Sequence, residues 1–482
     1  MKKVHFIMIV VLSVILAGSV IYGGLHLYAN RNIVPEGVTV GGHGIGGMKL
    51  DEAADRVRSD LQAMEAIPLV LIDQETRAPD VQMSLGEAGI VYNADHFMGA
   101  LEGLQKGSLL QRVRVRASFP RSWNIEAERR PEVLEKRLNT EWEKARYGEP
   151  ANAVRRIEAD DTVKYIPEIP VYRIQWKSLR TRLDESLPAD FSILDQTDDG
   201  GVELVLPLAV EEPDITLEKL KKEGIERRIT LFSTKLRGSS AGRVFNVASA
   251  ARAVDGMILE PEGVFDYGKV IAKAESQYGF RKAPVIVNGR LQPGIGGGIC
   301  QVSSTVYNAA LRAGLEIVER RNHSLPVSYL PKGQDATFAS GYINFRFRNN
   351  TGKHLLLRTG VRNGVLTVKF FGTFPSNVSY RIESRTVETL SPSVSYVNSG
   401  LPGSGQQLIQ EGKPGYVVDT FRTKLINGKP VERIRISRDT YSAQKRVIAI
   451  GSEFRGRTPN TDRQQPSRSP LIEDGVGKTD SD

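Results

Sequence analysis

Cys300 is the only cysteine in a chain of 482 residues, and three glycines, Gly296, Gly297 and Gly298, lie just before it. Residues 294–324 read GIGGGICQVSSTVYNAALRAGLEIVERRNHS. Val302, Val306, Ala309, Ala310 and Ala313 recur at helical spacing, so this stretch predicts a helix that starts at the cysteine and stops at Gly314. A β-branched run, Leu315 to Val318, predicts a strand ending near His323, and Asp335 follows. A helix N-terminus favours thiolate over thiol, which a nucleophilic cysteine needs. In this order Cys300 is a candidate nucleophile, His323 its base and Asp335 the acid that orients the base. The backbone N–H groups of Cys300 and Gln301, with the Gln301 side chain, are candidate oxyanion donors.

A second reading competes. The glycines permit close packing, Cys300 is a small buried hydrophobe, and His323 with Glu319 and Arg320 forms a structural polar cluster. The module then holds a ligand without transforming it. One cysteine and scattered histidines give no zinc spacing and no HExxH, so neither a metal nor another cofactor is expected. His43 and His96 are isolated in sequence and read as ordinary surface or packing histidines.

The elements that must place these residues begin with a span that has no Asp, Glu, Lys or Arg, Val4 to Ala29. It exceeds the ~20 apolar residues needed to cross a bilayer as a helix. No small-x-small cleavage site follows, so it reads as an uncleaved anchor rather than a signal peptide. Lys2 and Lys3 place the start in the cytoplasm by the positive-inside bias and the chain from about residue 31 outside. The lipid bilayer is thus one expected partner. A net charge of +9 suits an anionic setting such as wall polymer or anionic lipid. There is no zinc-finger spacing, ribonucleoprotein pattern or dense basic helix, so nucleic acid is not expected as a partner.

Residues 31–114 and 115–228 read as two small α+β units in which strands such as Leu69 to Ile72 and Val171 to Ile174 alternate with amphipathic helices. The Gly-rich turn at 41–47 lacks the Lys-Ser/Thr of a phosphate loop. Residues 229–375 form the α+β module around Cys300. Residues 381–452 are all-β, with Asn427-Gly428 a strong hairpin signal between two alternating runs. Residues 453–482 are polar and proline-punctuated and read as a disordered tail. The fold class is therefore multidomain α+β, with an anchor helix, two small α+β units, an α+β central module and an all-β C-terminal module.

From about 229 to 372 the chain resembles the VanW family, which is associated with vancomycin-resistance clusters and widespread in bacterial envelopes. The likeness rests on Arg243, Asn246, Gly256, Pro261, Phe265, Gly279, the run Gly296 to Gln301, Ser303, Asn308, Gly314, Glu319, Arg320, His323, Tyr329, Gly333, Asp335 and Ala336. Residues 34–225 more loosely resemble peptidoglycan-binding domains found upstream of VanW modules, and 381–452 resemble the G-five domain, a wall-associated β module. The family often has an acidic residue where this chain has Asn344, a departure that points to Asp335 as the relevant acid. The resemblance implies a membrane-anchored, extracytoplasmic protein that binds peptidoglycan or a related glycan. Its candidate binding residues are Arg243, Gly296, Gly297, Gly298, Ser303, Arg320 and Tyr329. The alternative is a cysteine-dependent amidase or acyltransferase acting on peptidoglycan stem peptides through Cys300, His323 and Asp335.

Overall fold

A computed structural model describes residues 2–74, 77–196, 201–287, 290–398, 405–451 and 472–476. Lys2–Ala29 is one helix, long and apolar enough to cross a membrane. The chain divides into two compact units.

The first unit comprises residues 1–152 and 169–214. Its central strand, Pro68–Ile72, pairs antiparallel with Pro79–Ser84 and parallel with Val202–Val205. Its neighbours are thus separated by more than a hundred residues of chain, and the helices Leu50–Ala66 and Trp176–Ser186 contribute to one core. That core includes Val57, Met64, Leu69, Leu71, Phe97, Leu179, Phe191 and Leu204. The boundary expected at 114/115 lies inside this unit. Strands on either side of it pair, Ile90–Asn93 with Glu126–Arg129 as well as the central pair, and both sides contribute to one core. His43 is not isolated here: its ring lies 2.9 Å from Asp60 and 3.4 Å from Asp195.

The second unit comprises residues 153–168 and 215–482. The hairpin Val154–Ile157/Val163–Ile166, expected with the preceding domain, belongs here. Asp161 at its turn holds Arg228 and Lys369, and the Tyr165 hydroxyl donates to the Ile225 carbonyl at 2.7 Å. A four-stranded antiparallel sheet runs in the order Arg227–Lys235, Val365–Gly372, Leu355–Arg362, Ile258–Leu259. Helices Ala241–Val254, Tyr267–Tyr278 and Ile299–Arg312 share its core with the rings of Phe265, Phe345, Phe347 and Phe370. The alternating run read through Tyr342–Asn349 is a strand only over Arg346–Arg348. Asn344 breaks the run: its side chain bonds to Asp266 and to the Gly268 N–H instead of leaving the backbone to pair.

Beyond residue 377 the elements among the described residues are all strands. Val378–Leu390, Gly415–Ile426 and Lys429–Tyr441 form one sheet, the last two joined at Asn427-Gly428, where both residues have positive φ as a tight primed turn requires. This β region does not stand apart. Ile382 and Ile436 pack against the core that holds the Cys300 helix, and Gly314, the helix stop at φ 73°, leaves the space taken by the Tyr380 ring.

Part of the tail expected to be disordered is built into the fold. Residues 472–476 are ordered, and Ile472–Glu473 pairs as an edge strand with Val287 and Ile286. Val476 is buried in the Cys300 core, and Glu473 and Asp474 are buried against hydrogen-bond donors. That local match supplies what the polar composition around it lacks. Residues 453–471 and 477–482 lie outside the described residues.

Candidate functional site

Helix Ile299–Arg312 carries the site. Its apolar residues keep helical spacing, but every residue from Ile299 to Leu311 is buried, so the helix is enclosed rather than amphipathic. Its polar residues must then find partners inside the protein. They do so mainly on one loop, 334–338. The Ser303 hydroxyl donates to the Ala336 carbonyl at 2.6 Å, Ser304 accepts from the Ala336 N–H at 2.9 Å, and Asn308 donates to the Gln334 carbonyl at 2.6 Å. The loop continues to Cys300, whose Sγ accepts the Phe338 N–H at 3.0 Å and donates to the Phe338 carbonyl at 3.4 Å. The thiol's hydrogen-bond partners are therefore backbone.

The three glycines each meet a different neighbour. A Cβ on Gly296 would lie 3.0 Å from the Val476 nitrogen, and one on Gly297 would strike the Pro284 carbonyl. Gly298 is the helix N-cap, with φ 110° and no side chain to cap with, and a Cβ there would lie 2.8 Å from Cγ of Arg243. The first helical N–H groups are satisfied otherwise. Cys300 N–H donates to Oδ1 of Asp474 at 2.7 Å, and Gln301 N–H to the Gly298 carbonyl at 3.0 Å. Arg243 completes the anion site, its Nη1 being 3.1 Å from the other oxygen of Asp474 and its Nη2 donating to Oε1 of Gln301 at 3.3 Å. The Tyr329 hydroxyl is buried close by, with no hydrogen bond of standard geometry. Burial pushes its pKa well up, Asp474 and Cys300 adding to the rise and Ser304 and Arg243 opposing it.

The thiol does not behave as its helix position predicts. Burial first, then the Asp474 carboxylate, push the Cys300 pKa well above its ordinary value, outweighing the Phe338 N–H that favours thiolate. Gln301 is also occupied: its amide donates to the Thr234 hydroxyl and the Lys235 carbonyl, both at 3.1 Å, and its backbone N–H is taken. Of the expected oxyanion donors, Cys300 N–H alone faces a negatively charged oxygen. We expect iodoacetamide to leave Cys300 largely unmodified in the folded protein at pH 7.5 and to label it fully once denaturant unfolds the chain. Fast labelling of folded protein would contradict the burial described here.

His323 and Asp335 do meet, but around a different centre. His323 Nδ1 and its backbone N–H both lie 2.7 Å from Oδ2 of Asp335. The Tyr441 hydroxyl donates to Oδ1 at 2.5 Å and accepts from the Gly333 N–H at 2.6 Å. Arg320 donates to the Asp335 carbonyl at 2.6 Å and to Asp439 at 2.6 Å, with its Nη2 3.6 Å from the Asp335 carboxylate. All five side chains are buried. Burial alone would raise the Asp335 pKa, but the bond to and charge of His323, with Arg320, hold it down to about 2. Burial opposes charge on His323, yet Asp335 raises its pKa above the usual imidazole range. Burial likewise opposes the Arg320 charge, but Tyr307, Asp439 and Asp335 raise its pKa overall. No hydrogen bond joins Cys300 to His323 among the described residues. The acid–histidine pair thus locks the 320–335 loop to the β region through Asp439 and Tyr441, two residues that sequence reasoning missed. Among the described residues, no group of three or more His, Cys, Asp and Glu side chains is placed to hold a metal ion.

Residues 242–371 match the VanW-like protein family, and residues 382–453 match the G5 domain. The chain carries a VanW-like domain followed by a G5 domain. It is similar to the uncharacterized protein YoaR of Bacillus subtilis (strain 168), with 34% identity over 172 residues, 35% of this chain and 57% of that protein. It is also similar to the vancomycin B-type resistance protein VanW of Enterococcus faecalis (strain ATCC 700802 / V583), with 31% identity over 114 residues, 23% of this chain and 42% of that protein. The chain thus spans about half the length of the curated relatives it matches. Two solved structures are each 23% identical to it. The G5 domain of an IgA1 protease covers 16% of this chain and 90% of its own, at a TM-score of 0.14. HP0197-G5 covers 15% and 95%, at 0.12. In these terms Cys300, Arg243, His323 and Asp335 lie in the VanW-like domain, whereas Asp439 and Tyr441 come from the G5 domain.

Proposed function

We propose that this chain is a membrane-anchored, extracytoplasmic protein that binds cell-wall peptidoglycan or a related glycan, with the VanW-like and G5 domains acting as one binding body. The observation that carries this reading is the buried cluster of Asp335, His323, Arg320, Asp439 and Tyr441. Its His–acid pair fixes the junction of the two domains and so is spent on structure rather than on the thiol. The apolar helix Lys2–Ala29 supports anchoring, with the chain from about residue 31 outside. The expected division of the preceding residues into wall-binding units is part of the same proposal. Similarity to a protein named for vancomycin resistance supports a link to wall remodelling.

Cosedimentation tests the reading. The purified protein is expected to pellet with purified cell walls and to remain bound when salt is raised past about 0.15 M, where the Debye length has fallen to about 8 Å and charge attraction between exposed groups is largely screened. The net charge of +9 makes that comparison decisive, since binding that vanishes at moderate salt would be non-specific attraction. Absence of binding at either salt would sink the proposal.

One observation favours the second reading, a cysteine-dependent amidase or acyltransferase acting on stem peptides. The Cys300 N–H holds a carboxylate oxygen at 2.7 Å, the contact an oxyanion donor makes. Under that reading Cys300→Ala abolishes release or exchange of stem-peptide fragments. Under the binding reading the same variant leaves wall cosedimentation unchanged.

A further inference from the structure

Residues 472–476 lie against the core around Cys300 as an added strand and turn. Ile472 and Glu473 add an antiparallel strand to the free edge of Lys282–Val287, opposite Val287 and Ile286. The chain then turns at Asp474, at φ 64°, whose N–H donates to the Phe338 carbonyl at 3.3 Å. Gly475 bridges Ala339 in parallel, and the Val476 N–H donates to the Ile295 carbonyl at 3.0 Å. The segment therefore lies between the 282–295 hairpin and the 338–339 loop, with its backbone read on both sides.

Its side chains are read as well. Oε2 of Glu473 accepts from the Ser324 N–H at 3.0 Å and the Ser324 hydroxyl at 2.9 Å. Asp474 spans Cys300 N–H and Arg243, at 2.7 and 3.1 Å. The Val476 side chain enters the core beside Cys300. A Cβ at Gly475 would lie 2.8 Å from Cγ1 of Val285 and 2.9 Å from the Ile295 carbonyl, so the groove accepts only glycine there. Strand addition supplies affinity through backbone bonds, and pockets for individual side chains supply specificity. Both features are present, and two adjacent carboxylates each have a dedicated socket. Asp474 is paired with Arg243 and Glu473 accepts two bonds from Ser324, so a peptide lacking the two carboxylates would leave the Cys300 and Ser324 N–H groups without these acceptors.

We propose that the groove beside Cys300 is a binding site for an extended acidic peptide, and that residues 472–476 of this chain are its tethered occupant. An external peptide gains the groove only by displacing them. Arg243 and Gly296, two of the residues expected to bind the wall ligand, line this groove, which takes a peptide strand.

The test uses the full-length protein in detergent and a fluorescently labelled synthetic peptide, Pro-Leu-Ile-Glu-Asp-Gly-Val-Gly, the sequence of residues 470–477. A chain carrying Glu473→Gln with Asp474→Asn is expected to bind the labelled peptide at least about tenfold more tightly than the unaltered chain, in which the tail competes. The peptide with the same two replacements is expected to bind that variant at least about tenfold more weakly than the acidic one. A separate full-length variant, Gly475→Val, evicts the tail by overlap rather than by loss of charge, leaves the groove intact, and is expected to give the same gain. Equal peptide binding by unaltered and altered chains, equal binding of acidic and amide peptides, or failure of both variants to take up peptide overturns the proposal. Wall cosedimentation is measured separately on the unaltered chain, so that failure of peptide uptake and failure of wall binding are distinguishable.

Discussion

Asp335→Ala is expected to lower the unfolding free energy of the purified protein by about 3–5 kcal/mol, the cost of breaking a buried ion pair by removing one partner. The carboxylate accepts from His323 N–H, His323 Nδ1 and the Tyr441 hydroxyl, and it faces Arg320. Without it the buried His323 ring loses the carboxylate in contact with it, and Arg320 keeps Asp439 as its ion-pair partner. Tyr441→Phe removes one hydrogen bond to Asp335 and orphans the Gly333 N–H, so it is expected to cost less, about 1–3 kcal/mol. The pH profile separates this account from a simple loss of packing. Asp335, held down to about 2, contributes stability that is present above its unfolded value of 3.8 and is lost as pH falls toward 2. His323, raised above 6.5, contributes stability that is full below 6.5 and fades as pH rises through its folded value. In the alanine variant burial favours the neutral ring and only the charges of Asp474 and Glu473 oppose it, so the fall in stability between pH 5 and 8 that His323 gives the unaltered protein is expected to be reduced or reversed. Denaturant midpoints at pH 5 and 8 for both proteins check this, and parallel pH slopes would refute it.

What the sequence makes legible is local. The helix from Cys300, its stop at Gly314 and the Asn427-Gly428 hairpin are each set by neighbours within a few residues, and each is present. Pairing of His323 with Asp335 spans 12 residues and follows the expected order. The thiol's environment was not legible, because the helix position argues for thiolate while burial, which only the assembled core creates, argues against it. Nor was the partner of Asp335 that lies 106 residues on. Tyr441 sits in an alternating strand like any inward-facing aromatic, and nothing nearby marks its hydroxyl. Residues 472–476 failed for a related reason. A window of polar, proline-rich composition averages away five residues whose pattern of apolar, acid, acid, glycine, apolar matters only opposite Val287, Ser324, Cys300 and Ile295. The merging of the two expected N-terminal units depends on the parallel pairing of Leu69 with Val202, a contact with no signature in either strand.

Gly298→Ala carries the second large effect. Its left-handed backbone, φ 110°, costs about 1–2 kcal/mol for a residue with a Cβ. The new methyl would also lie 2.8 Å from Cγ of Arg243, 3.1 Å from Cγ2 of Val247 and 3.3 Å from the Arg243 carbonyl. Overpacking of that kind adds about 1–3 kcal/mol. Cγ of Arg243 cannot swing clear without cost, because the guanidinium beyond it is bound to Asp474 and Gln301. Gly341 provides the comparison: φ is 76° but a Cβ there meets nothing within 4 Å, so Gly341→Ala is expected to show the backbone cost alone. The difference between the two variants measures the clearance that the third glycine leaves for Arg243. A double-mutant cycle then locates it. In an Arg243→Ala background Cγ is gone, and the extra cost of Gly298→Ala is expected to shrink toward what Val247 and the backbone carbonyl impose. If the cycle shows no coupling, the glycine serves only the turn into the helix. If it shows the expected coupling, the glycine is what lets a cation stand beside the Cys300 N–H.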